Sequence, residues 1–182
     1  MSITTDTRQA LPTGTWTLDP VHSTIGFEVE YLVGAFRGQF NDVDAKLAVD
    51  GAAAGLSGSA RVASVEVKDE NLEAHLQSPD FFDAERHPDL SFESIEIDRS
   101  GDAVTVGGEI TIKGVTKPVE LTGTIADPIT DAHGNERIGL RLETTVDRTD
   151  FGVDWNVPLP DGRPALADAV KLSAELYFVR EA

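Results

Sequence analysis

A chain of 182 residues with 40% hydrophobic content can bury the core of one domain, and no stretch approaches the ~20 apolar residues of a membrane-spanning helix. Its 32 acidic against 15 basic side chains give a net charge of −17, which excludes the basic footprint of a nucleic-acid binder and opposes anionic membrane surfaces. The absence of cysteine excludes disulfides, thiolate metal sites and cysteine nucleophiles, and suits a reducing compartment.

The segment Met1 to Thr13 is polar, lacks the apolar run of a secretory signal, and reads as a flexible tail, so a cytoplasmic location is expected, or a periplasmic or secreted one if a leader has been removed. One domain then spans 14–182. Thr15 to Tyr31 reads as strand, with Ile25, Phe27, Val29 and Tyr31 on one phase and Gly26, Glu28 and Glu30 on the other. A turn between Gly34 and Gly38 carries Phe36 and Arg37. Val43, Ala45, Leu47 and Val49 alternate with polar neighbours, and Leu56 to Val67 follows as a third strand with a phase slip near Ser64.

The texture then changes. Asp69 is placed to cap a helix over Glu70 to Gln77, whose Leu72 and Leu76 share a face. Ser78-Pro79-Asp80 reads as the start of a second short helix carrying Phe81 and Phe82. Strands resume over Leu90 to Asp98, Ala103 to Lys113, Pro118 to Ala126 and Arg137 to Asp147. An irregular stretch from Arg148 to Arg163 precedes the last strand, Asp168 to Val179.

About eight strands joined mostly by short turns predict an all-β antiparallel up-and-down barrel, with a short helical insertion between strands 3 and 4. Such a barrel is just wide enough to be filled by side chains or to hold one small ligand. The inward phases carry small residues at Ala45, Gly58, Ala60, Gly108, Gly123 and Ala174. They leave room for an apolar guest, or they mark bulges and sharp coiling.

Little in the chain announces chemistry. His22, His75, His87 and His133 form no pair with metal-ligand spacing, and there is no G-x-S-x-G elbow and no phosphate-binding loop. No catalytic motif is found. The enzyme alternative is a barrel that uses His22 or His75 with a nearby carboxylate as acid and base; a plugged structural or stress-related barrel is a third reading. Phe36, Phe81, Phe82, Phe151 and Trp155 gather in loops and the helical segment, where they either line an entrance or cap the barrel.

Four ordered motifs resemble those of the YceI-like, polyisoprenoid-binding proteins. They are Trp16-Thr17-Leu18-Asp19-Pro20-Val21-His22-Ser23; Asp80-Phe81-Phe82-Asp83 with His87-Pro88 and Ser91-Phe92-Glu93-Ser94; Gly108 to Val119; and Arg148-Thr149-Asp150-Phe151-Gly152. Gly14-Thr15-Trp16 also echoes the G-x-W that opens lipocalin barrels. The resemblance implies a lipocalin-like barrel whose tunnel takes a long isoprenoid, isoprenoid quinone or similar lipid, as carrier or store, often in a homodimer. It implies no cofactor beyond that lipid and no catalytic mechanism.

The candidate tunnel lining comes from the inward phases and the aromatic segments. The first half of the chain supplies Phe27, Val29, Tyr31, Phe36, Leu72, Leu76, Phe81 and Phe82. The second supplies Phe92, Val106, Gly108, Ile110, Leu121, Gly123, Leu140, Phe151 and Trp155. Arg148 and Asp150 are the candidates for the head group, or for a structural pair with each other.

Overall fold

Strict alternation becomes strand throughout. The fold is a computed structural model, and it describes residues 10–181. Among these the chain forms β1 (Gly14–Leu18), β2 (Thr24–Tyr31), β3 (Gly34–Phe40), β4 (Val43–Asp50), β5 (Ala53–Arg61), β6 (Val65–Glu66), α1 (Glu70–Gln77), β7 (Asp89–Ser100), β8 (Ala103–Ile112), β9 (Val115–Thr130), β10 (Glu136–Asp147) and β11 (Leu166–Arg180). β4 alternates buried and exposed at every residue. The β8–β9 turn places Lys113 and Gly114 at φ 51° and 75°, the two positive values of a type I′ hairpin.

The strands close into an antiparallel ring in the order β1-β4-β5-β7-β8-β9-β10-β11, with β11 returning to β1 through Trp16↔Arg180 and Leu18↔Phe178. β2 continues along the same edge of β11, from Ala174↔Ile25 to Leu166↔Tyr31. β1 and β2 are therefore two parts of one broken strand. β3 with β4, and β5 with β6, are broken in the same way, so the ring has the eight strands that the alternation predicts. The phase slip near Ser64 is a 3-10 turn over Val62–Ser64. Pro118 lies where β9 pairs only with β8, and Pro128 beside the register shift between β9 and β10, so neither breaks a ladder on both sides.

α1 stands in the gap between β6 and β7, as expected of an insertion between the third and fourth strands of the ring. Asp69 caps it, accepting from the backbone N–H of Asn71 and Leu72 at 2.8 and 3.2 Å. The second helix expected at Ser78 is instead a series of turns. The Ser78 hydroxyl donates back to the His75 carbonyl, and Asp83 takes a left-handed φ of 54°, which turns the chain away from helix. Of the tail expected over 1–13, residues 1–9 lie outside the described residues. From Ala10 onward the chain is anchored: Leu11 is buried, and the Pro12 carbonyl accepts from Trp16 Nε1 at 3.0 Å.

The interior has two unlike halves. At one end Trp16, Leu47, Leu56, Val104, Val106, Ile138, Leu140, Leu142 and Phe178 pack into a solid plug in which Trp16, Val106 and Phe178 are fully buried. At the other, two smaller clusters centre on Phe27, Phe40 and Leu76 and on Ile112, Phe151 and Val153, and most of their inward neighbours are only half-buried. Along β10 the change is graded: Ile138, Leu140 and Leu142 are buried, whereas Thr144 and Val146 on the same phase are not. Along β11, Phe178 and Leu176 are buried while Ala174, Leu172 and Val170 are partly open. The barrel is filled at one end and hollow at the other.

Candidate apolar binding site

The hollow half encloses a cavity of about 410 Å³, inside the ~300–1,000 Å³ range of small-molecule sites. Phe27 and Val29 reach it from β2, Phe36 from β3, Phe92 from β7, Ile110 from β8, Leu121 from β9, Val146 from β10, and Leu172 and Ala174 from β11. On α1, Leu72, His75 and Leu76 sit at i, i+3 and i+4 and turn one face to it. Phe81, Phe82, Phe151, Val153 and Trp155 complete the wall on that side. The rings pack on one another: Phe27 and Phe82 meet edge-on at 6.1 Å, and His75 stands perpendicular to both Phe81 and Trp155 at 4.9 Å. An apolar cavity of only ~150 Å³ can stay dry and take up benzene, so a larger one with these walls favours an apolar guest over water.

The structure brings Phe27, Val29, Tyr31, Phe36, Leu72, Leu76, Phe81, Phe82, Phe92, Ile110, Leu121, Phe151 and Trp155 to this cavity. It does not bring Val106, Leu140, Gly108 or Gly123. Val106 and Leu140 share the inward phase but belong to the plug. Gly108 and Gly123 leave no vacancy. A Cβ on Gly108 would run into the Glu93 carbonyl oxygen, and one on Gly123 into that of Arg141. Among the other small residues, Ala45, Gly58, Ala60 and Ala174 do border the hollow. The lining also includes Val146, Val170 and Leu172, which the alternation marks as inward, and His75, whose i+3 relation to Leu72 is its only sign in the sequence.

Arg148 lines the cavity, but its guanidinium is committed to the chain. Nε donates to the Ala167 carbonyl at 2.8 Å, Nη1 to those of Val153 and Trp155 at 2.9 and 2.8 Å, and Nη2 to that of Leu166 at 3.4 Å. Its carboxylate partner is Asp168, at 3.5 Å, and not Asp150. Asp150 is exposed: Arg148–Phe151 form a 3-10 turn capped by Asp147 and ended by Gly152 at φ 73°, and that turn carries Asp150 outward. The Thr149 hydroxyl and N–H hold the Asp147 carboxyl below the usual carboxylate range. Arg148 thus stitches the end of β10 to the start of β11 and to the 153–155 segment. Neither residue of the expected pair is arranged as a head-group site.

Of the two histidines weighed as acid or base, His22 lies outside the cavity lining and meets Asp19 at 2.8 Å, with its side chain 63% exposed. His75 lines the cavity and meets Asp80 through Nε2 at 3.1 Å.

A closed antiparallel barrel, solid at one end and holding an apolar blind pocket at the other, is a lipocalin-like binding barrel. The model of the YceI-like domain matches residues 16–178, and the chain belongs to that family. A UPF0312 protein of Pectobacterium atrosepticum is 32% identical over 136 residues, which are 72% of this chain and 71% of the relative. Among solved structures, BcnA of Burkholderia cenocepacia superposes with a TM-score of 0.73 at 22% identity, covering 88% of this chain and 98% of its own, and bears on the fold alone. The YCEI protein of Campylobacter jejuni gives a TM-score of 0.68 at 26% identity, covering 80% and 85%. A polyisoprenoid binding domain from Saccharophagus degradans, implicated in plant cell wall breakdown, gives 0.68 at 11% identity, covering 91% and 98%; it too bears on the fold alone.

Proposed function

We propose that the protein binds one long-chain apolar lipid, an isoprenoid, isoprenoid quinone or similar molecule, in the hollow half of the barrel, and acts as its carrier or store. The observation that carries this reading is the cavity of about 410 Å³ walled by phenylalanine, leucine, valine and isoleucine side chains. Each CH₂ moved from water into such a site contributes ~0.8 kcal/mol, so a five-carbon unit contributes roughly 3–4 kcal/mol before ordering costs. The name of the polyisoprenoid-binding structural neighbour is consistent with this class of guest. Homodimerisation is carried over from the family resemblance as part of the proposal.

Organic extraction of freshly purified protein, followed by mass spectrometry, tests the reading. The expected result is a long-chain lipid in stoichiometric amount, with delipidated protein taking up an apolar naphthylamine probe that added prenyl chains displace. Protein that is repeatedly lipid-free and takes up neither probe nor prenyl chain contradicts it. Sedimentation of the same preparations reports the oligomeric state.

A further inference from the structure

Of the residues that line the hollow, Tyr31, His75, Glu143 and Arg148 carry ionisable side chains, and the last three differ sharply in what remains of their bonding capacity. Arg148 is bound to four backbone carbonyls and to Asp168. Glu143 is exposed and meets Lys171 at 3.2 Å. Lys113, beside the same loops, donates its ammonium to the carbonyls of Pro79 and Gly152 at 2.6 and 3.2 Å. The one guanidinium in the lining is thus fully bonded by the chain, and two of the three N–H donors of Lys113, which lies outside the lining, are taken.

His75 differs. Its Nε2 faces the Asp80 carboxylate, which can only accept, so Nε2 carries the hydrogen and Nδ1 of the neutral ring is an acceptor. No described residue donates to Nδ1, and among the described residues no buried side-chain nitrogen or oxygen lacks a partner, so Nδ1 is within reach of a bound molecule or solvent. The ring itself is fixed between Phe81 and Trp155, both of which line the cavity.

Resting on the chain-binding reading above, we infer that the site selects its ligand by head group. It takes chains that end in a hydroxyl, whose O–H donates to His75 Nδ1, and rejects the same chains ending in phosphate. A phosphate brings about −1.5 to −2 charges to a wall whose one guanidinium is already bonded by the chain, and sets them beside the Asp80 carboxylate that meets His75. A hydroxyl brings no charge and supplies the donor that Nδ1 lacks. His75 is the specificity-determining residue, and Asp80 positions it by fixing the tautomer.

The test compares farnesol, farnesyl methyl ether and farnesyl monophosphate as displacers of an apolar naphthylamine probe from delipidated protein, wild type and His75→Phe. Phenylalanine keeps the ring against Phe81 and Trp155, and a thermal melt checks that the variant is folded. In the wild type the alcohol is expected to bind about 3- to 10-fold more tightly than the ether, the effect of one net hydrogen bond, and the phosphate at least about tenfold more weakly than the alcohol. In the variant the alcohol and the ether converge. A phosphate that binds as well as the alcohol, or an alcohol preference that survives His75→Phe, overturns the head-group assignment while leaving chain binding intact. Failure of all three compounds to displace the probe overturns both. The wild-type comparison stands without the variant.

Discussion

The ring of Phe92 occupies the space that a side chain on Gly108 would need: a Cβ built on Gly108 lies 2.7 Å from Phe92 Cζ. The two residues are on neighbouring strands, and the missing Cβ lets the ring of Phe92, which also lines the cavity, pack against β8. Gly108→Ala is therefore expected to destabilise the protein by about 1–3 kcal/mol through overpacking, measured as a lower urea midpoint with an unchanged slope. Gly123→Ala should do the same or worse, because the obstructing atom is the Arg141 carbonyl in the β9–β10 ladder and cannot swing away.

Ala174 presents the opposite case. It borders the hollow and is only half-buried. Ala174→Leu grows into empty space, so stability is expected to stay within about 1 kcal/mol of the wild type or to rise. Binding should weaken about tenfold, since displacing two CH₂ groups of the guest costs ~1.6 kcal/mol. A melt combined with a prenol titration separates the two effects.

This contrast marks how far the chain could be read unaided. Period-two alternation gives the strands and the face each residue takes, and hence the ring of eight strands. It carries no information on depth along the barrel. Leu140 and Val146 share one phase of β10, yet the first is 2% exposed in the plug and the second opens on the cavity. Whether a glycine leaves a void depends on the neighbouring strand, as Phe92 over Gly108 and the Arg141 carbonyl over Gly123 make plain. The mate of Arg148 is likewise decided by the β10–β11 register, which brings up Asp168, and not by nearness in sequence, which favours Asp150.

Arg148 holds the hollow half in shape. Replacing it with methionine removes the side-chain donor from the carbonyls of Val153, Trp155 and Ala167, leaves that of Leu166 with Asn156 Nδ2, and should cost about 2–4 kcal/mol in chemical denaturation. Lysine should rescue little, because one ammonium cannot span acceptors that a planar guanidinium reaches together. Asp150→Asn, at an exposed position, should change stability by no more than about 0.5 kcal/mol.

The far side of the barrel carries a pH-dependent contact. Arg137 donates to Asp131 at 2.6 Å and to Asp19 at 2.9 Å, and Asp19 also meets His22. The bond to His22 first, and then that to Arg137, lower the Asp19 carboxyl to about 2; Asp131 is also held well below the usual range, chiefly by Arg137. A folded pKa below the unfolded one means that the folded state binds fewer protons, so the stabilisation is present above about pH 4 and is lost as pH falls toward 2. The melting-temperature gap between wild type and Asp19→Asn should shrink as pH falls from about 4 toward 2. A gap that widens below about pH 4 contradicts this assignment.

The most direct measurement of the account is methyl NMR of the delipidated protein titrated with farnesol. A guest in the hollow half should shift the methyl signals of Ile110, Val146, Val170 and Leu172, which face the cavity, and leave those of Leu47, Ile138 and Leu140 in the plug unmoved. Shifts confined to the plug, or none at any prenol concentration short of its solubility, would contradict the claim that this barrel holds an apolar chain in its hollow end.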